Sequence, residues 1–327
     1  MKRLHTPLFS VVIPTYNRPR MVLRALRSVQ QQTCTDWEVL LINDGSTTDY
    51  SLVEKHVQED NRISYLLQEH RGRGAVRNLG LRRATGTFLT FLDDDDWWEP
   101  VHLALLKRHI QQYPQKAVFI QWGCRWDRGR GSKTILLPAS SHQDLLRHLW
   151  QHGWQLGMIA VDRRLGGNRS FNPDYLFAQD LDFLLRLLLE IPSQVVRQTT
   201  LHVSDHSTRG TYQVDRSNYR RFYYAHVASR QRLAYDFDTQ LQTLFSARER
   251  NKMQALRYVY VAHWIMRVPK IRFALGLLGK AVRCYPPVVF FVAFAKSLLS
   301  WAHLWPFGAV RSGSNAKSTP SGKAEDS

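Results

Sequence analysis

The segment FLTFLDDDDWWEP, residues 88–100, joins an apolar strand-like run to four consecutive aspartates and two tryptophans. Four adjacent carboxylates repel one another, and desolvating them at the end of a sheet is costly unless a cation neutralises them. Most acidic runs are solvated turns. The run therefore permits two interpretations, a surface turn or a metal site, and the rest of the chain has to distinguish them.

Short apolar runs alternate with helical patterns through the first half of the chain. Buried strands are predicted for FSVVIP, WEVLLIND, RISYLL and TFLTFL, in residues 9–14, 37–44, 62–67 and 87–92. The first intervening segment carries apolar residues at helical spacing, namely Val22, Ala25, Leu26 and Val29. Strands separated by helices of this length predict an α/β fold with a parallel sheet and right-handed crossovers.

Polar residues follow three of these predicted strands at the point where each strand ends. Thr15, Tyr16 and Asn17 follow the first strand, residues 44–46 the second, and residues 93–96 the fourth. Ligands of such sheets bind beyond the carboxyl ends of the strands, so we expect these residues to face one crevice. Acidic groups that converge there suit a divalent cation and a ligand with hydroxyl or ring N–H groups to donate.

The chain of 327 residues is strongly basic, with 45 Lys and Arg against 27 Asp and Glu, a formal net charge of +18. Such a charge favours anionic partners, namely nucleic acid, anionic lipid or phosphorylated substrates. Because the sequence contains no zinc finger, RNP-type strand or bZIP heptads, we expect no nucleic-acid partner. We attribute most of the arginines to solubility.

Cysteine usage and the N-terminus indicate the compartment. The three cysteines, Cys34, Cys124 and Cys284, lie far apart and fit neither a disulfide framework nor a zinc site, which points to a reducing environment. The apolar run before Pro14 is too short for the core of a signal peptide. We therefore expect a cytoplasmic protein.

Two glycine-rich segments resemble phosphate-binding loops without matching them. GRGAVR, residues 72–77, has Arg77 where a dinucleotide fingerprint requires its third glycine. GRGSKT, residues 129–134, lacks the Gly-Lys-Ser/Thr order of a P-loop, and we interpret it as a basic surface loop.

Four motifs in order and spacing resemble the family 2 glycosyltransferases, a large inverting group with the GT-A nucleotide-sugar fold. They are FSVVIPTYNRP, VLLINDGSTTD, GRGAVRNLGLRRATGTFLTFLDDDDWWEP and FAQDLDFLLRLLL, and the resemblance covers roughly residues 7–189. The resemblance implies a mostly parallel sheet flanked by helices, which we assign to residues 1–212. A helical pattern then predicts an all-helical C-terminal region over 213–310, and the polar end at 311–327 is expected to be disordered.

The resemblance also implies a donor site built from the residues that follow the strands. The set implied to bind the nucleotide sugar is Pro14, Thr15, Tyr16, Asn17, Asp44, Arg77, Asn78, Asp93 and Asp94. Within it, Asp44 would accept a hydrogen bond from the base ring N–H, and Arg77 and Asn78 would line the nucleotide cleft. Asp93 and Asp95 would bind Mn²⁺ or Mg²⁺, cations that take carboxylate oxygen ligands.

Asp180 matches the general base of the family. The family often has Glu-Asp at this point, whereas this chain has Gln179 before Asp180, which places the usual contact of the glutamate in doubt. The alternative role of Asp180 is to cap the helix that follows. Among the four aspartates, we expect Asp94 or Asp96 to cap a helix that starts near residue 100.

Aromatic and histidine residues near these motifs offer further contacts. Trp97 and Trp98 are candidates for stacking on a sugar ring, although core packing is the expected fate of at least one of them. LHVSDHSTRG, residues 201–210, is expected to be a loop whose His202 or His206 closes over the diphosphate or the metal.

The C-terminal segment PPVVFFVAFAKSLLSWAHLW, residues 286–305, approaches the length of a membrane span. Lys296 would lie near the centre of such a span, at about 2.5–3.5 kcal/mol on insertion scales. We therefore expect an amphipathic helix, and contact with an anionic membrane and packing within the protein remain equal alternatives.

These patterns together predict a metal-dependent inverting glycosyltransferase. It would move a sugar from a nucleoside diphosphate sugar, with uridine the commonest base, to a glycan or lipid-linked acceptor in cell-surface polysaccharide synthesis. One alternative, a sugar-nucleotide nucleotidyltransferase, needs a GxGTR-type loop where this chain has PTYNRP. The other alternative is an inactive basic protein on the same fold that binds membrane or RNA. The expected location is the cytoplasm, with peripheral contact to the inner face of the membrane as an open alternative.

Overall fold

A seven-stranded sheet forms the centre of the protein in the computed structural model. The structure describes residues 6–127, 131–136, 141–152, 155–166, 169–175, 178–191, 193–204, 220, 223, 227–265 and 271–285. The first four strands are β1 Phe9–Thr15, β2 Trp37–Asn43, β3 Ile63–Leu67 and β4 Phe88–Phe91. They are parallel in the order β3-β2-β1-β4, so the predicted parallel sheet is confirmed for this half of the chain.

Helices connect these strands and cover both faces of the sheet. The first three are α1 Pro19–Gln30, α2 Ser51–Gln58 and α3 Arg73–Arg83. Alternate residues of β1 enter different apolar clusters: Val11 packs with the α1 and α2 side, and Val12 with the α3 side. A strand buried on both faces reads as a continuous apolar run, which explains why the sequence pattern was clear here.

The close packing of α3 on the sheet depends on a glycine. A Cβ atom at Gly80 would lie 2.4 Å from Cγ1 of Val12, closer than two carbon atoms can approach. Gly80 therefore lets α3 lie directly against β1, and this contact sets the position of the polar residues one turn earlier on the helix.

The second half of the chain completes this sheet and builds a smaller one. Its elements are β5 Trp97–Trp98, α4 His102–Gln112, β6 Val118–Gln121, β7 Gly123–Asp127, β8 Ser132–Leu136, α5 His142–His152, a 3₁₀ turn Leu156–Met158, β9 Ile159–Asp162, α6 Arg163–Gly166, α7 Gln179–Glu190, β10 Ser193–Val196 and β11 Leu201–Ser204. In the large sheet β9 runs antiparallel between β4 and β6, and β10 pairs with β6. The small sheet has the order β5-β11-β7-β8.

The chain passes from the large sheet to the small one at Gly123, where a Cβ would lie 2.1 Å from the Ile135 carbonyl oxygen. Two sequence-based assignments in this half are wrong. The segment assigned to a basic surface loop contains β8 in its second part, and the loop expected at 201–210 begins with β11. β8 forms a hairpin with β7. β11 is held by β5 and β7, which are distant from it in sequence, so a local pattern does not reveal it.

Among the described residues after β11 there are four further helices: α8 Ser229–Asp236, α9 Asp238–Leu244, α10 Ala247–Ile265 and α11 Ile271–Cys284. Leu233 and Leu241 from these helices are buried in the same apolar cluster as Trp150 and Leu184. The predicted boundary at residue 212 and the amphipathic segment with Lys296 lie outside the described residues. Of the helices that the structure describes, none has the length and apolar character needed to cross a membrane.

Candidate active site

The four aspartates form a turn directly after β4. The Asp96 amide donates to the Asp93 carbonyl oxygen at 3.1 Å, which closes the turn. Asp93, Asp95 and Asp96 each place a carboxylate oxygen within 4.8 Å of one another. Three converging carboxylates supply the hard oxygen ligands that Mg²⁺ and Mn²⁺ prefer. Asp96 was not among the residues expected to bind metal.

Arg18 links two members of this turn. Its guanidinium donates to Asp94 Oδ1 at 3.1 Å and to Asp95 Oδ2 at 2.9 Å. Thr15 Oγ1 also donates to Asp94, at 3.0 Å, and so ties the end of β1 to the turn. Burial raises the pKa of Asp94 to about 7, with Asp95 and Asp93 adding to the rise and Arg18 opposing it. The turn therefore concentrates negative charge that arginine only partly offsets.

The expectation that Asp94 or Asp96 caps a helix near residue 100 is wrong. Helix α4 begins at His102 after Val101. Asp94 instead bonds to Thr15 and Arg18, and Asp96 Oδ1 accepts from the Ser204 amide at 3.0 Å. These carboxylates therefore accept from Thr15 of β1, from Arg18 before α1 and from Ser204 of β11, and not from the amides of a helix end.

Arg77 connects the aspartate turn to the candidate base. Its side chain is only 1% exposed, and it donates to Asp93 Oδ1 at 2.9 Å and to Asp180 Oδ1 at 2.5 Å. Burial alone would lower the pKa of Arg77, but Asp180 and Asp93 together raise it above the usual value. The guanidinium thus stays charged and holds one carboxylate from the turn after β4 and one from α7.

Asp180 lies within the first turn of α7. The helix begins at Gln179 after Ala178, whose backbone is left-handed with φ 62°, so Asp180 is not the residue at the capping position. Its side chain remains 36% exposed. A Cβ atom at Gly74 would lie 2.7 Å from Nε2 of Gln179, so the first turns of α3 and α7 meet here and a larger residue at position 74 would require the Gln179 side chain to move. Gln179 therefore lies against the start of α3.

Asn78 bonds to the segment that leads to α7. Asn78 Nδ2 donates to the Phe171 carbonyl oxygen at 2.9 Å, and Asn78 Oδ1 accepts from the Phe171 amide at 2.7 Å. These bonds position residues 169–175 ahead of Asp180. A direct contact of Asn78 with the nucleotide stays a prediction.

The loops after β1 and β2 share the same edge. The Asp44 amide donates to the Thr15 carbonyl oxygen at 3.0 Å. Asn17, left-handed with φ 54°, accepts through Oδ1 from the Thr47 amide at 2.8 Å. Pro14 is buried within β1, whereas Tyr16 is 40% exposed. The structure thus brings the residues after three strands to one edge, as predicted from the sequence.

Asp44 is almost fully enclosed at this edge. It is 3% exposed, and Oδ1 accepts from Gln68 Nε2 at 2.7 Å and from the Arg71 amide at 2.9 Å. Oδ2 accepts from the Gly72 amide at 2.8 Å. The His70 Nδ1 atom lies 2.9 Å from the same oxygen, and the His70 ring stacks on Tyr16 at 4.3 Å between centroids. Sequence reasoning did not find His70.

The two tryptophans have different surroundings. Trp98 is 2% exposed and donates through Nε1 to the Gly157 carbonyl oxygen at 3.0 Å, so it packs in the core. Trp97 lies between the Arg24 guanidinium at 3.9 Å and the His202 ring at 5.0 Å. The His202 Nδ1 atom is 2.8 Å from Asp127 Oδ2. His206, the other histidine proposed to close over the site, lies outside the described residues.

Comparison with known proteins identifies relatives by sequence. Residues 10–175 match the family described as glycosyl transferase family 2. WcaA of Escherichia coli (strain K12), a glycosyl transferase named for a proposed role in colanic acid biosynthesis, is 29% identical over 266 residues, 75% of this chain and 90% of its own length. The GalNAc(5)-diNAcBac-PP-undecaprenol beta-1,3-glucosyltransferase of Campylobacter jejuni is 40% identical over 93 residues, 28% of this chain and 30% of its own.

Solved structures show the same fold at low sequence identity. The mannosyltransferase PcManGT from Pyrobaculum calidifontis, in complex with GDP-Man and Mn²⁺, aligns with a TM-score of 0.54 at 17% identity over 90% of this chain and 88% of its own. TarS 1–349 of S. aureus with UDP-GlcNAc aligns at 0.54 and 16% identity, over 87% of this chain and 75% of its own. The family match covers most of β1, the strands β2 to β9, the aspartate turn and the segment that leads to α7, so the chain belongs to glycosyl transferase family 2 and is a glycosyltransferase with the GT-A fold.

Proposed function

We propose that this protein transfers a sugar from a nucleoside diphosphate sugar to a hydroxyl group of a glycan or lipid-linked acceptor, with inversion at the anomeric carbon. The observation that carries the proposal is the chain of contacts Asp93–Arg77–Asp180, which joins a carboxylate cluster to a second, partly exposed carboxylate. The carboxylate cluster suits a metal-bound diphosphate, and the carboxylate of Asp180 is suited to take the proton of the acceptor hydroxyl. The names of WcaA and the Campylobacter enzyme support a role in cell-surface polysaccharide synthesis.

A divalent cation fits the aspartate turn. The oxygens of Asp93, Asp95 and Asp96 within 4.8 Å form a donor set suited to Mn²⁺ or Mg²⁺. Such an ion, when bound, stabilises the charge that develops on the departing diphosphate. Arg18 and Arg77 then hold the aspartates in position and limit their mutual repulsion.

Asp180 is the proposed general base. Its carboxylate would accept the proton of the acceptor hydroxyl while that oxygen attacks the anomeric carbon from the side opposite the diphosphate. Attack from that side inverts the configuration of the sugar. An ordinary aspartate is a weak base toward a hydroxyl, so positioning must supply much of the effect. The 2.5 Å bond from Arg77 supports this role because it restrains one oxygen of Asp180.

The nucleoside is proposed to bind between the loops after β1 and β2. Tyr16 offers an exposed ring, and Asp44 offers the acceptor for a base ring N–H. Uracil and guanine both carry such an N–H group. We propose uridine as the nucleoside, and the net charge of +18 supports peripheral contact with an anionic membrane from the cytoplasmic side.

A panel of nucleotide sugars tested by thermal shift with Mn²⁺ or Mg²⁺ checks the donor. The true donor is expected to raise the free energy of unfolding by about 2.7 kcal/mol at a concentration 100 times its Kd, by mass action. The nucleoside monophosphates serve as controls, since they lack the second phosphate group. If no nucleotide sugar raises Tm with either metal, the proposed function is wrong.

Replacing Arg77 by lysine is expected to lower kcat by about 10- to 100-fold and to change nucleotide affinity little. An ammonium group is a point charge and cannot span Asp93 and Asp180 as the guanidinium fork does, so the base would lose its position. Initial rates give kcat and KM, and calorimetry gives the Kd of the nucleoside diphosphate.

The matched control for this change is Arg82→Lys, on the same helix but exposed. Its kinetics are expected to equal those of the wild type. If Arg77→Lys instead weakened nucleotide binding and left kcat unchanged, Arg77 would line the nucleotide cleft, as the family resemblance implies, and would not position the base.

A further inference from the structure

Three donors bond to the carboxylate of Asp44, and an imidazole nitrogen lies against it. Gln68 Nε2 and the Arg71 amide bond to Oδ1 at 2.7 and 2.9 Å, and the Gly72 amide bonds to Oδ2 at 2.8 Å. His70 Nδ1 lies 2.9 Å from Oδ2, and its own hydrogen bond is to the Asp44 carbonyl oxygen at 3.1 Å. A carboxylate offers about four lone-pair positions. A base ring N–H that binds Asp44, as the proposed function requires, therefore has to take the remaining position, against which His70 Nδ1 lies, or the position of one of the three bonded donors.

The backbone donors are poor candidates for exchange. The Arg71 and Gly72 amides belong to the chain that enters α3, and Gly72 has the left-handed φ of 84° at that helix end. A Cβ atom at Gly45 would lie 2.8 Å from the His70 amide nitrogen, so the backbones of the two loops are in direct contact. Moving either amide would therefore displace the start of α3 and the turn after β2 together.

His70 is the donor that can leave most easily. Its side chain is 56% exposed, whereas that of Asp44 is 5% exposed. Nδ1 lies 2.9 Å from Asp44 Oδ2 and 3.1 Å from the Asp44 carbonyl oxygen, and because both are acceptors, Nδ1 must carry a proton. The imidazole thus presents a ring N–H to Asp44, which is the group that a nucleobase would present.

The same imidazole also covers Tyr16. The two rings stack at 4.3 Å with an interplanar angle of 25°. A flat ring stacked on Tyr16 and donating an N–H to Asp44 reproduces the two contacts that the proposed function assigns to a uracil or guanine ring. Release of His70 would therefore free one lone pair and one aromatic face in a single movement.

We propose that His70 occupies the nucleobase subsite as an internal substitute for the base, so that donor binding exchanges the imidazole for the base ring. This inference rests on the proposed function, and it adds His70 as a residue that determines donor affinity. A ligand that binds only after a side chain has moved can bind only the fraction of molecules in which the site is open. Its apparent Kd equals the intrinsic Kd divided by that fraction. His70 therefore weakens donor binding, and the base must carry a ring N–H to replace its bond.

Calorimetric titration of the full chain with UDP, GDP, CDP and ADP, in the presence of Mn²⁺, tests the exchange. His70→Ala is expected to bind UDP or GDP, whichever binds the wild type, about 5-fold more tightly. The reason is that the nucleotide no longer has to break the hydrogen bond of His70, and one net hydrogen bond corresponds to a factor of about this size. The matched control is His56→Ala. It removes a half-buried imidazole on α2 that bonds to Gln30 of α1, and it should leave the nucleotide affinity unchanged.

A second measurement uses the wild-type protein and does not depend on the variant. The ring-proton NMR signals of His70, assigned by their loss in His70→Ala, are expected to shift on saturation with the bound nucleotide because the ring leaves Tyr16. Equal or weaker nucleotide binding by His70→Ala, or ring signals that stay in place, would overturn the exchange alone. If none of the four nucleotides binds the wild type, the proposed function itself fails.

Discussion

Asp180→Asn is expected to lower kcat by about 10³-fold while the Kd of the nucleoside diphosphate changes by less than about 2-fold. General-base catalysis contributes about 10²–10⁴-fold, and an amide of the same shape cannot accept the acceptor proton. Asparagine can still accept a hydrogen bond from Arg77 through its carbonyl oxygen, so the site should keep its geometry. Initial rates at saturating donor and acceptor, together with nucleotide calorimetry, measure the two effects separately.

Glu190→Gln is the matched control for this prediction. Glu190 lies at the other end of the same helix, and its carboxylate also pairs with an arginine, Arg169. Both variants remove one charge from α7 and one ion pair, but only Asp180 lies near the aspartate turn. If Asp180→Asn kept most of its activity, or if Glu190→Gln lost as much, Asp180 would not be the base.

Asp95→Asn is expected to reduce metal-dependent transfer by about 10³-fold or more without lowering stability. A divalent cation at the leaving group supplies several kcal/mol of stabilisation in the transition state, and each 1.36 kcal/mol corresponds to a factor of ten. At the same time the change removes one like charge from a crowded turn, so Tm should stay equal or rise. Rates measured over a Mn²⁺ titration, with thermal unfolding without metal, test both parts.

Asp60→Asn provides the control for Asp95→Asn. Asp60 also pairs with an arginine, Arg62, which together with hydrogen bonding holds its pKa at about 2. Asp60 lies between α2 and β3, so replacing its carboxylate should change the stability of the protein and leave the Mn²⁺ dependence of transfer unaltered. Unchanged Mn²⁺ dependence in Asp95→Asn would exclude Asp95 as a metal ligand, and a large fall in Tm would show that Asp95 has a structural role instead.

The sequence by itself determined the parallel half of the sheet and the edge where the site lies. A strand such as β1 is buried on both faces, so it appears in the sequence as a run of consecutive apolar residues. The polar residues that follow the run mark the end of the strand. The aspartate run, Asp44 and Asp180 could therefore be found before any contact was known, with help from the motif order that the family shares.

Only the tertiary structure decided how those residues are connected. Arg77 and Asp180 are 103 positions apart, and their bond depends on α3 approaching β1 at Gly80 and on α7 starting against Gly74. The stack of His70 on Tyr16 and the pairing of β11 in the second sheet likewise join distant segments. A local pattern records the period and the end of an element, because those depend on neighbouring residues. The partner of a side chain depends on how the elements pack, and that is fixed only when the whole chain is folded.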